Sequence, residues 1–194
     1  MNYLAHLHLS GNEPLVMVGN FMADAVKGRD LSAHHPEVEQ GIRLHRRIDS
    51  FTDQHPITAT GRHRVRAHCG KYAGVALDLF YDHLLASDWQ SFRTEPLAAF
   101  AQRCYALLMR ERHRMPLRTQ GMLPYLVKGD WLTSYATIDG IGEALYGLSR
   151  RAKHAEALAG SEAVLHEHID VYRAEFRTFL PELVEHIREA GHEA

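Results

Sequence analysis

Apolar residues recur every three to four positions along nearly the whole chain, the spacing of amphipathic helices. The first segment, NYLAHLHLS, is short and apolar, with His6 and His8 embedded in it. EPLVMVGNFMADAVKG follows as a helix of small and apolar residues that ends near Gly28, a natural C-terminal stop. Pro36 takes a first-turn position in PEVEQGIRLHRRIDSFTDQH, whose apolar side is Ile42, Leu44, Ile48 and Phe51. A basic helix, PITATGRHRVRAH, comes next. VALDLFYDHLLASDW, residues 75–89, is then apolar on nearly every side. Further helices are predicted near 94–112, 139–153 and 162–190, with a looser segment from Pro116 to Asp130. There is no Asn-Gly hairpin turn and no sustained two-residue alternation. The pattern predicts an all-α fold, a compact bundle forming a single domain over residues 1–194.

The polar residues that interrupt these apolar stretches are the candidates for chemistry. Asp78, Asp82 and His83 sit in the helix with the least polar surface. A carboxylate taken out of water without a partner costs several kcal/mol, about the scale at which it takes up a proton instead. Asp78 and Asp82 stand one turn apart and repel each other, so something positive must lie between them: a metal ion or a pair of arginines. In GIRLHRRIDSFTD, His45 and Asp49 share one helical face, and Asp53 extends the row. Arg46 and Arg47 lie on other sides, available for an anion. Asp24 is the acid in the apolar GNFMADAVKG, where Gly19, Ala23 and Ala25 are small enough to let another helix come close. His6 is a fourth candidate. Mixed His/Asp ligation suits Mn²⁺, Mg²⁺, Fe²⁺ or Zn²⁺. A divalent ion makes hydroxide from bound water near neutral pH and neutralises charge on a phosphoryl oxygen, so phosphoester hydrolysis is the reaction class expected. No Walker A loop, GxSxG or dinucleotide fingerprint competes with it.

Charge is uneven along the chain. Between Gly41 and Tyr72 stand Arg43, Arg46, Arg47, Arg62, Arg64, Arg66 and Lys71 against Asp49 and Asp53, on a protein of formal charge -2. Eight acids against three arginines follow Ser161. The basic stretch, with Arg43, Arg62, Arg64, Arg66 and Lys71, is a landing surface for an acidic partner. It is too poor in aromatic residues for stacking on single-stranded nucleic acid. Two cysteines, Cys69 and Cys104, make no disulfide framework and suit a reduced, cytoplasmic protein. The N-terminus lacks the basic and apolar regions of a secretory signal, and no stretch is apolar for long enough to enter a membrane as a helix.

MNYLAHLHLS, GNFMADAVKG, GIRLHRRIDSFTD and LDLFYDHLLASDW, in this order and spacing, resemble the acyl carrier protein phosphodiesterase family, most strongly over roughly the first 90 residues. The resemblance implies removal of the 4'-phosphopantetheine group from holo acyl carrier protein, with a divalent metal, typically Mn²⁺ and otherwise Mg²⁺ or Fe²⁺. It implies a fold like a distorted HD-domain metal phosphohydrolase, and the small acidic carrier protein as partner. Carried over by position, Asp24, His45, Asp49, Asp78, Asp82 and His83 surround the metal, and His6 belongs to the opening motif. One acid, Asp24 or Asp49, serves as general base, and Arg46 or Arg47 holds the phosphodiester. The Asp82–His83 order reverses the usual His-Asp of HD domains. Two other readings remain at this level. One is a related phosphohydrolase acting on a nucleotide or another small phosphoester. The other is a non-catalytic module whose buried acids pair with arginines.

Overall fold

The structure, a computed structural model, describes residues 1–151 and 153–191. Most of these residues are helical, and among them there is no strand. Ala152, inside the expected 139–153 helix, and Glu193, among the C-terminal acids, lie outside them.

Three helix starts follow directly from proline. Its fixed φ and missing N–H suit the first turn, where that donor has no helical partner. Pro14 opens α2 (Pro14–Met22), Pro36 opens α3 (Pro36–Gln54) and Pro56 opens α4 (Pro56–Cys69). The short α1 (Tyr3–His8) precedes them. The apolar stretch becomes α5 (Ala73–Ser87), packed on α1, α4 and the later helices α9 (Ile138–Ser149) and α11 (Ile169–Glu189). Being touched on so many sides explains why it carries so little polar surface. Around it lie α6 (Leu97–Arg110), α7 (Leu117–Lys128), α8 (Trp131–Ser134) and α10 (Glu162–Glu167). The buried apolar residues form one continuous core.

Three expectations need correction. The second helix stops at Met22, and Ala23–Ala25 tighten into a single 3₁₀ turn that carries Asp24 out of the helix. The segment from Pro116 to Asp130 is mostly helix, despite Pro124 inside it. Leu123 and Leu126 are fully buried, and that packing outweighs one lost backbone hydrogen bond. The 162–190 helix breaks at His168, because α10 packs against α9 while α11 packs against α3, α4 and α5.

α2 and α3 approach each other until their backbones meet. A Cβ built on Gly41 would lie 2.1 Å from the Val16 carbonyl oxygen and 2.7 Å from the Asn20 nitrogen. One built on Gly19 would lie 2.1 Å from the Val38 carbonyl oxygen. Backbone therefore meets backbone, and any side chain at either position must push the helices apart. Gly41→Ala is expected to destabilise the protein by about 3 kcal/mol or more, the upper end for overpacking. Gly121→Ala, with nothing within 4 Å in α7, should instead raise stability by roughly 0.5–1 kcal/mol. Urea denaturation midpoints of the two variants measure the contrast.

Candidate metal centre

The contact between α2 and α3 places Asn20 beneath two imidazoles. His45, on α3, is bonded through Nδ1 to the Asn20 carbonyl oxygen at 2.9 Å, with Asn20 Oδ1 at 3.2 Å. His6, on α1, is bonded through Nδ1 to Asn20 Oδ1 at 2.8 Å. The Asn20 amide nitrogen donates to the His6 carbonyl and to Ser10 Oγ, which fixes the orientation of the amide. Both acceptors are oxygens, so each ring carries its proton on Nδ1. Both Nε2 atoms turn the same way, with the rings stacked at 4.0 Å between centroids.

Carboxylates meet those nitrogens. Asp49, one turn beyond His45, lies 3.0 Å from His45 Nε2 and 3.2 Å from His6 Nε2. Asp24 lies 3.1 Å from His45 Nε2. His6, His45 and Asp49 offer ligand atoms that all lie within 4.8 Å of one another. His6 Nε2 is buried without a hydrogen-bond partner among the described atoms, although the Asp49 oxygen is near. An orphaned imidazole nitrogen facing a carboxylate is the donor arrangement that fits a divalent cation, with Asp24 on the open side.

The charges explain how this cluster stays folded. Burial opposes a proton on His45, but Asp24 and Asp49 outweigh it and raise this imidazole to about 9. Burial, reinforced by the charge on His45, lowers His6. Burial would raise Asp49, yet its bond to His45 and the charge on that imidazole hold it well below the usual carboxylate range. The bond to His45 likewise lowers Asp24. In the protein alone the proton on His45 is thus the compensating positive charge.

The acids and imidazole of α5 have other partners. Asp82 is fully buried and accepts from the backbone N–H groups of Asn2, Leu4 and Ala5 at 2.8–3.3 Å, satisfying donors at the start of α1. Asp78 accepts from the Met1 ammonium at 2.8 Å. His83 is bonded through Nδ1 to the Tyr135 carbonyl oxygen at 2.9 Å. Asp78, Asp82 and His83, expected around the metal, are thus bonded elsewhere and are not gathered with His6, His45 and Asp49. The positive groups beside the two carboxylates are an ammonium and a helix start, and they anchor the helix that carries His6. His6 Nε2 takes their place among the donors. Asn20, its orienting partner, was missed because an asparagine among apolar residues carries no motif of its own.

The cluster opens onto a cleft of about 700 Å³ between α2, α5 and the α7–α9 region. Asp24, which is exposed, lines it together with Tyr3, Phe21, Met22, Leu79, Met122, Trp131 and Tyr135. Arg46 and Arg47 do not. Arg46 donates to the Val26 carbonyl at 3.2 Å, and Arg47 points to solvent from α3. Asp53 is also exposed, beside Arg62.

The pattern of the acyl carrier protein phosphodiesterase family matches residues 1–183. The chain belongs to that family. Its relatives bear the same description. The acyl carrier protein phosphodiesterase of Photorhabdus laumondii is 33% identical over 186 residues, 95% of this chain and 94% of the relative. That of Yersinia pestis is 33% identical over 193 residues, 99% and 98% of the two chains. That of Serratia proteamaculans is 32% identical over 190 residues, 97% and 98%. No solved structure matches, so the expected kinship of this phosphodiesterase family member to HD-domain enzymes stays with the motif resemblance. Among the described residues no helix is long and apolar enough to cross a membrane.

Part of the basic surface expected for a partner is used inside this fold. Arg43 is bonded to Glu39 on its own helix. Arg62 donates to the Asp53 carbonyl, and Arg64 grips Glu175 of α11 with two hydrogen bonds while lying over Tyr172. Arg66 and Lys71 are left exposed without a carboxylate partner among the described residues.

A cation that takes His45 Nε2 must displace its proton, so affinity should climb as pH rises from 6 and level off above about 9. Calorimetry at pH 7 in two buffers of different ionisation enthalpy should show about one proton released per Mn²⁺ bound. Asn20→Ala, which frees both rings, should weaken Mn²⁺ binding by about 10–100-fold.

Proposed function

We propose that this protein hydrolyses the phosphodiester joining 4'-phosphopantetheine to the serine of holo acyl carrier protein. The observation that carries the reading is the His6–His45–Asp49 cluster, its imidazoles buried, beside Asp24 in a half-apolar cleft. Family membership supplies the bond and the carrier protein. The cleft has the size and mixed lining suited to an arm of amides and methyl groups. His6 Nε2, His45 Nε2 and Asp49 would hold a divalent cation, with Mn²⁺ first and Mg²⁺ or Fe²⁺ as alternatives. Such an ion supplies charge neutralisation at phosphorus and acidifies water.

The chain's own groups do the rest. Asn20 holds both imidazoles with Nδ1 protonated and Nε2 outward. Asp24 is the cluster's acid on the cleft side, so it is the general base that takes a proton from the attacking water. A new P–O bond forms to that water, the P–O bond to serine breaks, and the serine oxygen gains a proton from solvent. Phosphate leaves on the pantetheine arm. Arg66 and Lys71 remain as the part of the basic stretch free to meet the acidic carrier.

Intact-mass analysis of holo acyl carrier protein incubated with the enzyme and Mn²⁺ should show loss of the phosphopantetheine mass. EDTA should abolish that loss, and His45→Ala or Asp49→Ala should slow it at least 1,000-fold, about 4 kcal/mol of barrier. Unchanged carrier protein in the presence of protein with bound Mn²⁺ would refute the reading.

A further inference from the structure

Arg46 and Arg47 lie off the cleft, so another group must receive the substrate's negative phosphate. Two guanidinium groups do line it. Arg118 comes from the first turn of α7, and Arg151 from the segment just after α9, so the two reach the cleft from separate elements. Neither has a carboxylate within ion-pair distance among the described residues, whereas Arg43, Arg62, Arg64, Arg93, Arg103 and Arg177 all do.

Their placement is not that of loose surface charges. The Arg151 guanidinium lies over the Trp131 ring at 5.6 Å from its centroid. A Cβ built on Gly147, itself a wall of the cleft, would lie 3.9 Å from Arg151 Nη2. Arg118 precedes Thr119 and Met122, both cleft residues, and Met122 accepts a hydrogen bond from the Tyr3 hydroxyl at 3.1 Å. Tyr3 lines the same cleft as Asp24, Arg118 and Arg151; burial chiefly raises its phenol, Asp24 adds to that, and the two arginines oppose it. The remaining charged group in the lining is Glu143, which pairs with neither arginine.

We infer that Arg118 and Arg151 form the phosphate-binding pair of this enzyme, gripping the phosphate of the 4'-phosphopantetheine arm across the cleft from Asp24. The inference rests on the proposed hydrolysis and goes beyond it by naming the residues that recognise the leaving arm. Guanidinium suits the task because its planar donors match phosphate oxygens two at a time, which a lysine cannot do. The pair would bind the diester before cleavage and the monoester product after it.

Binding of 4'-phosphopantetheine and of unphosphorylated pantetheine to the full chain, compared by calorimetry, tests this directly. The wild-type protein should prefer the phosphorylated arm by tenfold or more. Arg118→Ala and Arg151→Ala should each reduce that preference, the double variant should remove most of it, and Arg118→Lys should restore part. Both side chains are exposed, so circular dichroism and Mn²⁺ binding should be unchanged. A double variant that keeps the wild-type preference, or a wild type without one, overturns the inference. Arm release from holo carrier protein is assayed alongside. Release with an arginine-independent preference refutes this pair and leaves the hydrolase reading standing. An arginine-dependent preference without release supports the phosphate site and refutes the hydrolase reading.

Discussion

The site depends on two helix backbones touching. At Gly19 and Gly41 there is no room for a Cβ, so α2 and α3 approach until the Asn20 carbonyl of one reaches the imidazole of the other. Ordinary helix pairs stand about 8–10 Å apart, spaced by side chains. Here the spacer is absent, and the carbonyl at the end of α2 becomes an acceptor for a histidine on a neighbouring helix. Once that contact exists, the Asn20 side chain can hold His6 from a third helix. The donor geometry is thus set by packing of the smallest residues, and the charged groups are added to it.

Electrostatic balance follows from the same arrangement. Two carboxylates against two buried imidazoles need a positive charge, and the proton on His45 provides it in the protein alone. A cation in the same place makes that proton unnecessary. The second group of acids, half-buried Asp78 and fully buried Asp82, is balanced in a different way. An ammonium and three backbone N–H groups face them, which ties α5 to the first residues of the chain. One acidic pair belongs to the candidate metal centre, and the other holds in place the helix that brings His6 to it.

Much of this was legible along the chain. The three-to-four-residue spacing gives the helices, and proline marks the start of three of them. The His45–Asp49 row on one face and the small residues near Asp24 both signalled a site between helices. The partners of the α5 acids were not legible, because sequence reveals that a buried carboxylate needs a partner but not which one. A backbone N–H has no letter in the sequence, so a helix start cannot be told from a metal. Arg46 and Arg47 were expected on other sides of α3 from the His45–Asp49 row, as about 100° per residue dictates, and neither lines the cleft. Arg118 and Arg151 lie far from every motif and reach the cleft only through the tertiary fold.

The central claim is that His6, His45 and Asp49, and not Asp78, Asp82 and His83, hold the cation. Anomalous diffraction at the manganese edge from crystals grown with Mn²⁺ locates the ion without reference to activity. The account predicts one strong peak at bonding distance from His6 Nε2, His45 Nε2 and an Asp49 oxygen, facing Asp24. A peak among the side chains of α5, with none between the two stacked imidazoles, would contradict it.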